Sequence, residues 1–138
     1  MGIRQVFYES WQMECCGTPF QVGDEVSWPL LLRDADDVCG GGWPDRLTGI
    51  AGRTAGRPGL HTAEFHGDPK LPETRGRVHA IQVVTQGYAE MAPGALTRVP
   101  IPGERSLRSV RECPKWFADA DAGVLVTLEV PGPDSDSP

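Results

Sequence analysis

Four cysteines and three histidines are the side chains of this chain with the clearest potential for chemistry. They are Cys15, Cys16, Cys39, Cys113, His61, His66 and His79. Thiolate and imidazole are the ligands that zinc prefers, and four convergent ligands suffice for a structural site. Zinc motifs usually place two cysteines two to four residues apart, and this chain lacks that spacing. The sequence therefore favours small buried thiols over a metal site.

A zinc site is the alternative for these residues. The ligands that the sequence assigns to it are Cys16, Cys39, Cys113 and His79, with His61 or His66 as substitutes for the last. No export signal precedes the adjacent pair Cys15 and Cys16, so reduced thiols are expected rather than a disulfide framework. Neighbouring cysteines are also poorly placed to bridge each other. A redox-sensing dithiol would need a nearby positive charge, and no Lys or Arg lies between Arg4 and Arg33.

Arginines form one concentrated basic segment, comprising Arg98, Arg105, Arg108 and Arg111, and two aromatic residues, Trp116 and Phe117, follow it. Guanidinium groups hold phosphates and aromatic rings stack on bases, which is the chemistry of a single-stranded nucleic-acid binder. The chain nevertheless has 13 basic against 19 acidic residues and a net charge of −6. Because an acidic surface repels a polyanion, the overall charge disfavours nucleic acid as the partner.

Trp43 is the strongest candidate for a contact residue. It follows three glycines in a segment, 33–59, that shows little periodicity and is predicted to be a long loop insertion. Binding residues concentrate in loops, so Trp43 is predicted to contact a protein or small-molecule partner. Trp11 and Trp28 are assigned to the core instead. No catalytic triad, calcium loop or phosphate-binding loop is recognisable, and an enzymatic role is not favoured.

Hydrophobic periodicity predicts an all-β protein. Alternating apolar residues predict strands over 3–15 and 123–130, and a segment that is apolar on both faces predicts a central strand over 77–85. His79 would share a face with Ile81 and Val83 there, as a hydrogen-bonded core histidine. The segment 93–103 is predicted to be a loop because of its prolines. A small antiparallel, partly open barrel or sandwich with at most one short helix, over 44–51, follows from this pattern.

Length and composition indicate one domain over 1–130. The 138 residues suffice for one core, and the 17 glycines and 13 prolines indicate many loops. The segment 131–138 is predicted to be a disordered acidic tail. Neither a signal peptide nor an apolar run long enough for a membrane span is visible, so a cytoplasmic protein without a membrane partner is expected.

Two resemblances concern the N-terminal quarter and the strands. The segment WQMECCGTPF at 11–20, followed by VGDEVSW at 22–28, resembles the opening of an uncharacterised family of small actinobacterial proteins. Such a family implies no known activity. The hairpin around 23–24 and the strand opening at 76–81 are similar to those of oligonucleotide-binding-type and SH3-like barrels, which implies a fold only.

Together these features predict a non-enzymatic β-barrel that binds a protein or small-molecule partner, with Trp43 as a contact residue. A cysteine-based zinc protein is the alternative. A barrel that binds single-stranded nucleic acid through Arg105, Arg108 and Arg111 is the third hypothesis. No cofactor other than zinc is suggested.

Overall fold

The architecture is taken from a computed structural model of the whole chain. The residues that the structure describes are 2–38, 41–43, 53–54, 57–65, 70–90, 92–94, 98–118 and 120–131. Cys39, His66, the helix predicted over 44–51 and all but the first residue of the predicted tail lie outside these residues. Among the described residues, no helix has the length and apolar character to cross a membrane.

Seven strands and one short helix make up the described structure, which confirms the prediction of an all-β protein. In chain order the elements are β1 (Gly2–Glu9), α1 (Ser10–Cys16), β2 (Glu25–Asp34), a 3-10 helix (Ala35–Asp37), β3 (Arg53–Thr54), β4 (Arg57–Ala63), β5 (Glu73–Glu90), β6 (Arg98–Val110) and β7 (Asp121–Val130). The predicted insertion 33–59 thus contains the end of β2, the 3-10 helix, β3 and the start of β4.

Five of the strands form a barrel. Their order is β1, β7, β5, β2 and β4, and every neighbouring pair along this path is antiparallel. The ring closes where β1 pairs in parallel with β4, through Val6 opposite His61 and Phe7 opposite Thr62. The small barrel is therefore confirmed, and its ring is closed rather than partly open. The strands β6 and β3 lie outside the ring and pair with β5 and β4.

The connectivity of the ring matches that of an oligonucleotide-binding-type barrel read from a different starting point. Counted from β5 through β7, β1, β2 and β4, the strands follow the ring order first, second, third, fifth, fourth. The third and fifth strands of this count, β1 and β4, are parallel. The helix α1 lies between the third and the fourth, which are β1 and β2. This likeness concerns the fold and implies no function by itself.

Two apolar layers stabilise the barrel. The lumen is filled by alternate residues of the strands, including Val124, Val126 and Leu128 of β7, as the alternation of the sequence predicts. The intervening Leu125 faces outward and packs in a second cluster with Phe7. Residues that follow β2 cover this outer cluster. Part of the predicted insertion is thus packed against the barrel wall.

The first strand is shorter than predicted. It ends at Glu9, and the chain continues as α1, in which the adjacent residues Gln12 and Met13 are buried. Trp11 is 49% exposed, so its assignment to the core is wrong, whereas Trp28 is buried at 6%. The side chain of Gln12 fixes the helix by accepting a hydrogen bond from the backbone of Phe65. A seven-residue helix has too few turns to be distinguished from a strand by periodicity.

The prediction of a loop over 93–103 is wrong from Arg98 onward, because β6 begins there and Pro100 lies opposite Tyr88. Proline cannot donate to a strand ladder, but it is tolerated on an edge strand. Within the described residues β6 pairs only with β5, so its other edge needs no donor from Pro100.

Candidate functional site

The four residues assigned to zinc are not assembled among the described residues, where no group of three or more potential ligands is found. Cys113 is buried at 2%, and burial raises the pKa of its thiol to about 12. Cys16 is exposed at the end of α1. His79 is exposed on β5, and Cys39 lies outside the described residues. The zinc site therefore stays a prediction.

Cys15 and Cys16 are joined by a disulfide between adjacent residues. This contradicts the expectation that neighbouring cysteines would not bridge. The bond lies at the C-terminal end of α1, where the backbone N–H of Gly17 donates to the carbonyl of Met13. In this state neither thiol is available as a metal ligand.

His79 is not the core histidine that the sequence predicts. The register between β5 and β7 shifts between Val78 and Ala80, and His79 occupies the resulting bulge. A bulge adds one residue to a strand and rotates the side chain that would otherwise face inward. The imidazole therefore points outward, 62% exposed, with its Nδ1 2.9 Å from the carboxylate of Glu129.

The buried histidine is His61, which the sequence named only as a substitute zinc ligand. It lies on the lumen side of β4, 5% exposed, and its Nε2 accepts a hydrogen bond of 2.9 Å from Nη1 of Arg4. Burial, and secondarily the charge of Arg4, lowers the pKa of His61 to about 4. The Nδ1 of His61 and the Nε of Arg4 are enclosed without a hydrogen-bond partner in the described part of the chain.

Trp43 and Arg105, both predicted to bind a partner, contact each other. Trp43 is 7% exposed, and its indole N–H donates to the carbonyl of Val38 at 2.8 Å. The guanidinium carbon of Arg105 lies 4.0 Å from the centre of the Trp43 ring. Arg105 also donates to the side chain of Gln86 and to the carbonyl of Gly41. This pair fastens the segment after β2 to the hairpin of β5 and β6.

The other two predicted arginines, Arg108 and Arg111, are exposed. Arg111 lines a shallow cavity of about 310 Å³ together with His79 and Ser109. The arginine segment is thus divided, since Arg105 contacts Trp43 and Gln86 whereas Arg108 and Arg111 are exposed to solvent. A continuous arginine surface is not formed by these three residues.

A different set of residues encloses a pocket where β2 leaves the barrel ring, and we name it the seam pocket. Its cavity volume is about 370 Å³. The lining residues are Tyr8, Cys16, Gly17, Thr18, Pro19, Phe20, Asp24, Glu25, Val26, Ser27, Trp28 and Phe65. One wall is the segment that follows α1, and the other is the first half of β2.

The seam pocket exists because β2 changes neighbours along its length. Residues Glu25–Pro29 pair with β5, whereas Leu30–Asp34 pair with β4. The last backbone hydrogen bond on the β4 side joins Glu64 to the carbonyl of Pro29. Before Pro29, the edge of β2 that faces away from β5 pairs with no strand among the described residues and lines the seam pocket instead.

Aromatic rings form the floor of the seam pocket. Tyr8 lies 5.2 Å from Trp28 and 5.2 Å from Phe65, measured between ring centres, and Phe20 lies 4.9 Å from Trp28. Tyr8, Phe20 and Trp28 are almost fully buried, while Phe65 is half-buried. Burial, together with the nearby Cys113 thiol, raises the pKa of the Tyr8 hydroxyl above its ordinary value. The rings of the floor are therefore uncharged and packed mainly against one another.

Carboxylates form the rim of the seam pocket. Asp24 accepts a hydrogen bond from the backbone of Gln21, and Glu25 faces Arg77 at 3.8 Å on the surface. Among the lining residues that the structure describes, there is no lysine, arginine or histidine. The nearby Lys115 is occupied by the carbonyls of Met13 and Gly17, to which its ammonium donates.

A second cavity, of about 410 Å³, lies where β2, β5 and β7 meet on the outer surface. The charged residues of its lining are Glu25, Arg75, Arg77 and Glu129, and no aromatic side chain of the described part of the chain contributes to it. Two of these residues, Arg77 and Glu25, are largely exposed to solvent. The seam pocket is smaller, but its lining combines aromatic side chains with polar groups, so it is the better candidate site.

Part of the N-terminal motif, from Cys16 to Trp28, supplies most of the seam pocket, although Cys16 alone among these residues was assigned to a site, as a zinc ligand. Tyr8 and Phe65 join it from distant parts of the chain. The model of a family of unknown function, DUF6578, matches residues 2–130. The chain belongs to this family. No curated protein and no solved structure matches it.

Membership of DUF6578 confirms the resemblance to an uncharacterised family, and it covers nearly the whole chain. The family brings no activity or ligand with it.

Proposed function

We propose that the protein is a non-enzymatic binding module and that the seam pocket is its ligand site. The observation that carries this proposal is the pocket's aromatic floor, which combines Tyr8, Phe20, Trp28 and Phe65 in one concave surface. Ligand pockets are typically concave, largely apolar and equipped with a few polar groups. A volume of about 370 Å³ is at the small end of the range for such sites.

The ionisable groups of the lining support binding rather than catalysis. Cys16 is joined to Cys15, and the raised pKa keeps Tyr8 protonated. Asp24 and Glu25 are engaged with Gln21 and Arg77. A catalytic base or nucleophile needs a pKa near the working pH and a partner that activates it.

The other hypotheses gain less support from the described residues. Cys16 and Cys113 are in different environments, one exposed and bridged and the other buried in the lumen. For nucleic acid, Arg105 is committed to Trp43 and Gln86, which leaves Arg108 and Arg111 on an acidic protein. The seam pocket therefore carries the proposal.

A fragment titration followed by backbone NMR tests the site without assuming a ligand charge. The probes are tetramethylammonium, tert-butanol, phenol and acetate, each added to the full chain. We expect at least one probe to shift the amide signals of residues 16–20 and 24–28 selectively. Shifts that are absent, or that are scattered over the whole barrel, would contradict the proposal.

Two matched variants locate the effect. Phe65 and Phe117 are both half-buried and both pack against the lumen core, but only Phe65 lines the seam pocket. Phe65→Leu should weaken fragment binding about fivefold or more, because the ring is lost from the floor. Phe117→Leu should leave binding unchanged at a similar cost in stability. Equal effects of the two variants would point to a general loss of packing instead.

A further inference from the structure

We propose that Cys15 and Cys16 form a thiol–disulfide exchange site whose reaction partner is a dithiol reductant. Three features support this site, and none of them depends on the ligand of the seam pocket. The bond joins adjacent residues, both residues are exposed, and the fold places a cation at the same end of α1.

The bond between Cys15 and Cys16 has little capacity to stabilise the fold. A disulfide stabilises a protein largely by restricting the unfolded chain, and this effect grows with the length of the loop that the bond closes. Here the two residues are adjacent, so the bond encloses no other residue. We therefore expect the bond to form and break in the folded protein with little change in the free energy of unfolding.

Other contacts hold α1 in place. The side chain of Gln12 accepts a hydrogen bond from the backbone of Phe65. Glu14 accepts one of 2.9 Å from the backbone of Phe117, and Lys115 donates to two carbonyls at the end of the helix. None of these contacts involves a sulfur atom, so the helix keeps its anchors when the disulfide is reduced.

The pair is accessible to a reductant, whereas the third described cysteine is not. Cys15 and Cys16 are both exposed, and exposed disulfides are the ones that exchange readily, because the attacking thiolate must reach a sulfur. Cys113 is buried at 2%, and burial raises the pKa of its thiol to about 12. Among the described cysteines, exchange is therefore confined to the pair.

The fold supplies the positive charge that the local sequence lacks. No Lys or Arg lies between Arg4 and Arg33, but the ammonium of Lys115 reaches the end of α1. It donates to the carbonyl of Met13 at 2.7 Å and to that of Gly17 at 3.0 Å, and these two residues flank the pair in the chain. A nearby cation favours the thiolate, which is both the attacking and the leaving group in exchange.

Exchange proceeds in two displacement steps that transfer two electrons. A thiolate of the reductant first attacks one sulfur of the pair, so a mixed disulfide forms while the bond between Cys15 and Cys16 breaks. The displaced sulfur leaves as a thiolate and takes a proton from water. The second thiolate of the reductant then attacks the mixed disulfide and forms the reductant's own disulfide, and the other cysteine is released and protonated. The pair gains two electrons and two protons.

Differential alkylation of the full chain tests the site. The protein is treated with dithiothreitol or with oxidised glutathione, labelled with iodoacetamide without denaturation and mapped by mass spectrometry. We expect the labelled fraction of Cys15 and Cys16 to be at least about tenfold higher after dithiothreitol, with unchanged far-ultraviolet circular dichroism. A pair that stays reduced in oxidised glutathione, or a chain that unfolds when the bond is reduced, overturns the inference.

Two variants of Lys115 provide the second arm. Lys115→Met removes the cation and should slow reduction by dithiothreitol about threefold or more, whereas Lys115→Arg keeps the charge and should restore the rate. Melting temperatures of both variants report any loss of packing, which by itself would not slow the exchange. Cys113→Ala is the control and should leave the rate unchanged. Equal rates in the wild type and in Lys115→Met overturn the assignment of this cation to the site.

Discussion

His61 is the residue whose chemistry departs furthest from that of a free side chain. It is enclosed in the lumen beside the guanidinium of Arg4, and both its burial and the positive charge of Arg4 disfavour its protonation. The imidazole therefore stays neutral and accepts from Arg4 through Nε2. The other ring nitrogen, Nδ1, is buried without a partner in the described structure, which adds to the free-energy cost of protonating the imidazole.

Stability should fall as the pH is lowered from 6.5 to 4. The unfolded chain takes up a proton on His61 near pH 6.5, whereas the folded protein does so only near pH 4, so protons favour the unfolded state between these values. Full stability from this group is present above pH 6.5, and the loss reaches up to about 3 kcal/mol at pH 4. Urea unfolding at several pH values measures this loss of unfolding free energy.

The variant His61→Gln is the control for this effect. Glutamine keeps an acceptor for Arg4 but does not titrate. The difference in free energy of unfolding between pH 7 and pH 4.5 should therefore be smaller in the variant than in the wild type. An identical pH dependence of the two proteins would show that other groups are responsible.

Gly17 illustrates a steric constraint at the wall of the seam pocket. A Cβ placed on it would overlap the hydroxyl of Tyr8 and lie 2.8 Å from Cα of Met13. Gly17→Ala should lower the free energy of unfolding by about 1–3 kcal/mol, because backbone atoms cannot easily yield. Gly2→Ala, whose Cβ would meet Val130 at an ordinary 3.6 Å, should be nearly neutral. Thermal unfolding compares them, and equal melting temperatures would refute the steric argument.

Among the elements, the segment after β2 depends on side chains of another hairpin for its position. Arg105 of β6 stacks on Trp43 and donates to the carbonyl of Gly41, while Gln86 of β5 accepts from it. Gln86 is itself buried and donates to the carbonyl of Ile101. This network links three parts of the chain through one guanidinium group.

Replacing the guanidinium should release that segment. An ammonium group cannot reproduce the planar stacking and the two divergent hydrogen bonds, so Arg105→Lys should cost about 1–2 kcal/mol of unfolding free energy. Hydrogen exchange at residues 38–43 should accelerate in parallel. Arg108→Lys, on the exposed face of the same strand, should have no measurable effect. Unchanged hydrogen exchange in Arg105→Lys would show that the contacts of the Arg105 guanidinium contribute little to the stability of this segment.

For the whole molecule, the five barrel strands share one lumen. Because residues from β1, β2, β4, β5 and β7 pack in the same cluster, no strand of the ring has an independent core. The outer cluster shares the same strands, since Phe7 and Leu125 are neighbours of the lumen residues Val6 and Val124. We therefore expect the described residues to unfold as one cooperative unit.

Unfolding should accordingly occur in a single transition. Tryptophan fluorescence, dominated by the environments of Trp28 and Trp43, reports on the lumen and the outer cluster together. Its midpoint in urea should coincide with that of far-ultraviolet circular dichroism. Two separated midpoints would show that the outer cluster unfolds independently of the barrel.

Local pattern in the sequence was sufficient for two of the strands. The run Val124 to Val130 alternates with a clear period of two, and the run around Ile81 is apolar on both faces, as expected of a central strand, so the fold class follows from them. The motif from Trp11 to Trp28 likewise led to the prediction of an uncharacterised family. These features depend on neighbours in the chain, so the sequence alone determines them.

Tertiary structure decided the features that depend on distant residues. The bulge that turns His79 outward depends on the register with β7, and the burial of His61 on the parallel pairing with β1. The seam pocket needs Tyr8 and Phe65 to meet Phe20 and Trp28. Pairing register and barrel closure depend on the packing of the whole chain, and periodicity within one segment carries no information about them.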